Sequence, residues 1–289
     1  MAETLPGDPQ SATDYDTRTT AAVKTVLIEI GQILGSFKGK FAIIGGAVPW
    51  LLLGNEDMPH VGTLDVDLSL DAEALGDGEY VTLIEALQEH GYRQRHGLRR
   101  FQLARQIATG DGGASIDIIV DFLMPRDAEI VKNVPPLISD FAVQRADGAD
   151  LAVRFYQLVA ISGPMPSGGT NRVEIAVCSI PALLAMKGHA IEGRYKQKDA
   201  YDIYYCIRNY PGGSEALAEE CRPLLEYASG AAGYGFIAGK FDTADGFGPL
   251  CVRRFVEETN VLGDREPEQW QQDAFGQVDA WLRALGLRD

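Results

Sequence analysis

Asp65 and Asp67 stand two apart in the apolar run Leu64-Asp65-Val66-Asp67-Leu68. Alternate residues of an extended strand project to the same side, so the two carboxylates would share a face, with Cα atoms about 7 Å apart. Two carboxylates that close repel each other unless positive charge lies between them. Mg²⁺ (or Mn²⁺) meets that need, because hard divalent cations take oxygen ligands and are commonly held by one or two carboxylates plus the phosphates of a substrate. Upstream, Gly45-Gly46 closes a hydrophobic run that ends at Ile44. Paired glycines let backbone approach a ligand closely, and N–H groups at a helix start can face an anion. The spacing is neither the dinucleotide fingerprint nor a Walker loop, since Gly45-Gly46-Ala47 lacks G-x-G-x-x-G and no Gly-Lys-Ser/Thr follows. The pattern points to a metal–nucleotide site.

Phosphoryl and nucleotidyl transfer with two metals needs ligands that bridge the ions and a group that orients the attacking hydroxyl. The run Ser115-Ile116-Asp117-Ile118-Ile119-Val120-Asp121-Phe122 offers Asp117 and Asp121 on one strand face. An unpaired acid is expensive in mid-strand between isoleucines. A bound metal accounts for that cost at Asp117, which is favoured as the third acid over Asp121 near the strand end. A second polar constellation lies in Ser179–Tyr210, where Ser179 can cap a helix and Pro181 fits its first turn. Lys187, Arg194, Lys198 and Asp202 are spaced 7, 4 and 4 apart, so one continuous helix would align them, with Gly193 as a point where it can break. Such a stripe opposite Leu183, Leu184, Ile203 and Ile207 is ordinarily a solvated surface.

The elements that must carry these residues follow from periodicity. Residues 19–36 have a helical apolar period at Val23, Val26, Leu27, Ile30 and Leu34. Lys40–Ile44 reads as a strand, Ala47–Leu53 as a helix entered from the glycines, and Leu64–Leu70 as the acidic strand. Tyr80–His90 is a helix ended by Gly91. Phe101–Ile107 and Ser115–Leu123 are strands joined by the hairpin signal Thr109–Gly113, and Arg172–Cys178 is a further strand. Beyond Ser179 the pattern is helical, interrupted by glycine-rich segments near 229–248. The fold class is therefore α/β (α+β): a mixed sheet with flanking helices and a helical C-terminal region. The expected division is a flexible leader 1–20, a core domain 21–180 and a helical domain 181–289.

Strand, Gly-Gly, helix, then Asp-apolar-Asp on a second strand resembles the nucleotidyltransferase superfamily signature. The form Thr63-x-Asp65-x-Asp67 is similar to its AbiEii-type toxin branch, and so is Lys187, Arg194 and then Lys198-Asp199-x-x-Asp202. The resemblance covers roughly residues 40–210. It implies a nucleotidyltransferase-type sheet, an NTP substrate, and Lys187 and Asp202 in the active site with Lys187 on the triphosphate. It makes Thr63 a site residue and a possible point of modification. Asp199 or Asp202 would complete the polar wall of a site to which the helical domain contributes. It further implies a tRNA 3′ end as acceptor, and a toxin role in a bacterial toxin–antitoxin or phage-defence pair with a cognate antitoxin. The combined assignment is Asp65, Asp67 and Asp117 on the metal, Gly45 and Gly46 cradling phosphate, and Thr63, Lys187, Arg194, Lys198 and Asp199 around the nucleotide.

Composition sets bounds on this reading. The 289 residues, 46% of them hydrophobic, suffice for one large domain or two modest ones. No run of eighteen apolar residues occurs, so no membrane span is expected. Residues 1–20 are polar and acidic without a basic-then-apolar leader, which predicts a disordered start and a cytoplasmic protein. Cys178, Cys206, Cys221 and Cys251 form no C-x-x-C pair and the histidines do not cluster with them, which argues against zinc. Net charge is −15, which counts against broad nucleic-acid binding but leaves room for a local track from Arg93, Arg95, Arg99, Arg100 and Arg105. The acidic surface instead suits a cationic small acceptor such as an aminoglycoside. A silent nucleotidyltransferase-like scaffold that binds a partner protein is the alternative outside enzymology.

Overall fold

A computed structural model of the protein describes residues 17–54, 58–75, 78–108, 113–128, 143–259, 261 and 263–289. Most of the expected leader and the turn residues 109–112 lie outside them. The described chain divides into two compact units, one of residues 17–48 with 61–178 and the other of residues 49–60 with 179–289.

The first unit is built on a mixed sheet of seven strands among the described residues. These are β1 (Phe41–Ile44), β2 (Asp65–Leu70), β3 (Gln102–Ile107), β4 (Ile116–Pro125), β5 (Gln144–Ala146), β6 (Tyr156–Pro164) and β7 (Thr170–Cys178). Their order is β3-β4-β2-β1-β7-β6, with β5 added beside β4. The acidic strand β2 is central, antiparallel to β1 and parallel to β4. Val66, Leu68, Val120 and Phe122 are fully buried, which fixes the register: a slip of one residue would drive the intervening aspartates into the core.

Two strands lack a clear strand pattern in the sequence, for physical reasons. β5 is three residues long. β6 is a sheet edge, largely exposed along its length and ending in Gly163-Pro164, so its short apolar run at residues 158–161 is not set off by polar alternation.

Helices α1 (Thr17–Ile33), α3 (Glu79–Glu89) and α4 (Ala149–Arg154) also belong to this unit, while the short α2 (Ala47–Leu52) runs across the division between the two. Residues 18–37 turn out to be long and apolar enough to span a bilayer by length and composition, a property that counting consecutive apolar residues missed because Lys24, Thr25 and Glu29 interrupt the run. Here Val23, Val26, Leu27, Ile28, Ile30 and Leu34 are fully buried, as in a core helix lying on a sheet.

The second unit is helical: α5 (Ile180–Gly193), α6 (Gln197–Arg208), α7 (Gly213–Cys221), α8 (Ala228–Lys240), α9 (Phe247–Thr259) and α10 (Pro267–Leu285). The glycine-rich stretch expected to interrupt the helical pattern is largely α8 itself. Each interior glycine costs about 1 kcal/mol of helix propensity, and close packing offsets it. A Cβ on Gly188 of α5 would strike the Gly233 backbone of α8, and one on Gly233 would strike Ala185. The four cysteines are buried and form no disulfide among the described residues.

Candidate active site

In the first unit, the sheet register determines which acids share a face. Asp67 lies beside Asp121, and Asp65 beside Ile119. Neighbours across a ladder point to the same side, so Asp65, Asp67, Asp117 and Asp121 all project from one surface. That surface is half-buried at Asp65 and Asp67 and closed at Ser69, whose hydroxyl donates to Ala149 O at 3.0 Å. The acids therefore stand at the open end of the face.

Each acid has a distinct setting. Thr63 is buried and its hydroxyl donates to Asp65 Oδ1 at 2.8 Å. Asp67 packs against Gly45, which follows β1 with φ +72°. A Cβ there would overlap the Asp67 carboxylate, so glycine at 45 is required both by backbone conformation and by space. The observed work of Gly45 is to let the chain turn over Asp67. Asp121 Oδ1 accepts from Gln102 Nε2 at 2.9 Å. Asp117 Oδ2 accepts from Arg95 Nη1 at 2.6 Å, while its Oδ1 is buried and has no hydrogen-bond partner.

A buried carboxylate oxygen left without a donor calls for an explanation such as a bound ion or water. Hard oxygen donors on one open strand face fit a divalent cation in chemistry, and the orphaned Asp117 oxygen distinguishes Asp117 from Asp121. Among the described residues, however, no group of three or more His, Cys, Asp or Glu side chains is arranged to hold a metal ion. Asp65 is turned to Thr63 and Asp117 to Arg95.

At least three of the five arginines expected as a basic track have local partners. Arg105 makes a two-pronged pair with the buried Glu29 at 2.8 and 2.9 Å. Arg93 donates to the carbonyls of Gln88 and Tyr92, and Arg95 to Asp117. Arg99 and Arg100 are exposed.

The second unit gathers the other predicted residues. α5 ends at Gly193, with Arg194 extended at φ −148°, so Lys187 and Asp202 are on different helices. Of the stripe, Lys187, Lys198 and Asp202 are not on a solvated surface, at 7%, 5% and 0% exposed, with Asp199 beside them at 1%, and Arg194 alone is exposed. Burial becomes tolerable because the break folds α6 back beside α5, and the charges pair. Lys187 Nζ lies 2.7 Å from both Asp199 Oδ1 and Asp202 Oδ2. Arg194 Nε reaches Asp199 at 2.8 Å, and Lys198 Nζ reaches Asp202 at 2.8 Å. Three cations against two carboxylates leave one excess positive charge, and Arg194 is the exposed member.

Burial opposes the charge on Lys187, but Asp199 and Asp202 outweigh it and leave its pKa raised. For Lys198 burial wins, since Asp202 offsets it only in part, and the pKa is lowered. Burial pushes both carboxyls up, yet the neighbouring cations prevail: Asp199 falls to about 2 and Asp202 well below the usual carboxylate range.

His60 completes the cluster and was not foreseen there, because its partner is remote in sequence. Its ring is buried, 3.0 Å from Asp202 Oδ1 and edge-on to Tyr205 at 4.7 Å. A carboxylate only accepts, so Nε2 carries the proton. Burial lowers the His60 pKa to about 4. The unfolded chain therefore takes up this proton first, at about 6.5, and the stability linked to His60 is intact above that pH and is lost as pH falls toward 4. The loss is expected to reach about 3 kcal/mol. The urea midpoint of the second unit should fall between pH 7.5 and pH 5 in the wild type and much less in His60→Gln. Equal falls in both would remove His60 as the cause. Asp199 titrates below this window.

No curated protein matches the chain in sequence. The family model for the nucleotidyl transferase AbiEii toxin of type IV toxin–antitoxin systems matches residues 63–279. That span takes in Thr63, the four strand acids and the whole Lys187–Asp202 cluster, and leaves Gly45, Gly46 and His60 outside. With well over half its length covered, the chain belongs to the AbiEii family of nucleotidyltransferase toxins.

Proposed function

We propose that the protein transfers a nucleotide from an NTP to an acceptor hydroxyl at a tRNA 3′ end, releasing pyrophosphate, and acts as the toxin of a toxin–antitoxin pair. Family membership supports the coarse activity, a nucleotide substrate and a cognate antitoxin. The observation that carries the metal-assisted chemistry is the open strand face of carboxylates with the orphaned Asp117 oxygen, and the tRNA acceptor rests on the resemblance of the motifs.

Asp65, Asp67 and Asp117 would hold Mg²⁺ or Mn²⁺. When bound, the ion offsets phosphate charge and lowers the pKa of a coordinated hydroxyl. Asp117 would accept the proton of the acceptor hydroxyl. Thr63 fixes the orientation of Asp65 through its hydrogen bond. Gly45 and Gly46 give the backbone close access to phosphate oxygens. In the helical unit, the excess positive charge presented through Arg194 suits a triphosphate, with Lys187 and Lys198 as its buried reserve and Asp199 and Asp202 holding these cations in place.

A second reading is favoured by the net charge of −15: a cationic small acceptor such as an aminoglycoside. Incubation with each α-labelled NTP, Mg²⁺ and either bulk tRNA or an aminoglycoside separates the two. Label on RNA that periodate oxidation of the tRNA 3′ end prevents supports the primary reading. Label on the small molecule alone replaces it with the second. No transfer to either leaves a partner-binding scaffold.

A further inference from the structure

We propose that Arg95 is a built-in counter-ion of the carboxylate face, competing with the divalent cation for Asp117. The inference rests on the metal reading of that face and deepens it into a statement about how occupancy is regulated.

The geometry is asymmetric. One Asp117 oxygen is bound to Arg95 Nη1 at 2.6 Å and the other is buried without a partner. Both side chains are mostly buried, at 30% exposure for Arg95 and 16% for Asp117, so solvent screens the pair only partly. Arg95 is also held where it stands. Two residues before it, Arg93 is paired with Ala104 by backbone hydrogen bonds of 2.9 and 2.8 Å, and Leu98 N donates to Arg95 O at 3.1 Å.

Asp65 and Asp67 project from the same face as Asp117, where Arg95 donates to Asp117 and Gln102 to Asp121. Without a dication, the guanidinium offsets part of the repulsion among these acids. With a dication on the same carboxylates, two positive centres within a few ångströms repel, and Asp117 cannot serve both fully. Metal binding and the Arg95–Asp117 bond therefore oppose each other. The contrary role would be that of an outer partner that orients a ligand carboxylate and strengthens metal binding. The two roles predict opposite signs.

Mn²⁺ binding to the full chain, followed through the spectroscopic signal of the free ion, reads that sign without reference to activity. Arg95→Gln is expected to bind Mn²⁺ roughly tenfold more tightly than wild type, and Arg95→Lys, which keeps the charge, to stay near wild type. In EDTA the melting temperature of Arg95→Gln should lie below that of wild type, and saturating Mn²⁺ should close or reverse the gap. Unchanged or weaker binding in Arg95→Gln overturns the counter-ion assignment. Asp65→Asn separates the two levels of inference. If it abolishes wild-type Mn²⁺ binding while Arg95→Gln has no effect, only the counter-ion role fails. If neither wild type nor Arg95→Gln binds Mn²⁺, the metal reading fails and the inference with it.

Discussion

Asp65→Asn is expected to reduce nucleotidyl transfer by about a thousandfold or more, equivalent to about 4 kcal/mol of transition-state stabilisation. The substitution is the sharpest available because it changes charge with almost no change in shape. The Thr63 hydroxyl that donates to Asp65 Oδ1 can donate equally to an asparagine oxygen, so the start of β2 should stay in place. Removing one of several like charges from a shared face relieves repulsion, and the variant should be as stable as wild type or slightly more so. Loss of activity with retained stability is the signature of a group that works on the substrate or its metal rather than on the fold. Initial rates of label transfer and a melting curve on one preparation give both numbers. Full activity in Asp65→Asn would remove β2 from the chemistry.

Asp202→Ala should act in the opposite manner, through stability. Asp202 is fully buried and in contact with Lys187, Lys198 and His60. Truncation leaves Lys187 with Asp199, but strips Lys198 of the carboxylate that offsets its burial. Breaking a buried ion pair from one side typically costs about 3–5 kcal/mol, because the surviving charge is left desolvated without compensation. The measurement is convenient because all three tryptophans, Trp50, Trp270 and Trp281, belong to the helical unit. Tryptophan fluorescence in urea therefore follows that unit specifically. Replacing Lys198 as well, as in Lys198→Met with Asp202→Leu, should recover the part of the loss that stems from the stranded Lys198 charge, while Lys187 and His60 still lack their Asp202 contact. A loss below about 1 kcal/mol in Asp202→Ala, the level of an exposed ion pair, would mean that the cluster is solvated in solution.

The parts of this molecule that were legible in its sequence are those governed by local periodicity. The period-two placement of Asp65 and Asp67, and of Asp117 and Asp121, follows from strand geometry alone, and the helix break at Gly193 was visible as a glycine. The fold class followed in the same way, because β1 is a buried apolar run, β2 and β4 alternate buried apolar residues with their acids, and β7 ends in a buried apolar stretch. What was not legible depends on residues that meet only in three dimensions. Lys187, Lys198, Asp199 and Asp202 look like a wetted helix face until α6 folds back on α5, when pairing makes their burial tolerable. His60 and Asp202 are 142 residues apart, and no pattern near His60 announces its partner. Arg95 looked like one of five surface arginines, yet it is bound to an acid on β4. The glycines of α8 suggested a broken helix because propensity speaks against them, while their use, the close approach to α5, lies in the partner helix.

The most direct test of the central claim is the fate of the phosphates. The wild-type chain is incubated with Mg²⁺, bulk tRNA and an NTP labelled at either the α or the γ phosphate, for each of the four bases in turn. Nucleotidyl transfer predicts that label from the α position appears on RNA for at least one NTP and that label from the γ position leaves as pyrophosphate. Transfer of the γ label to RNA, or no transfer of the α label from any NTP, would contradict it.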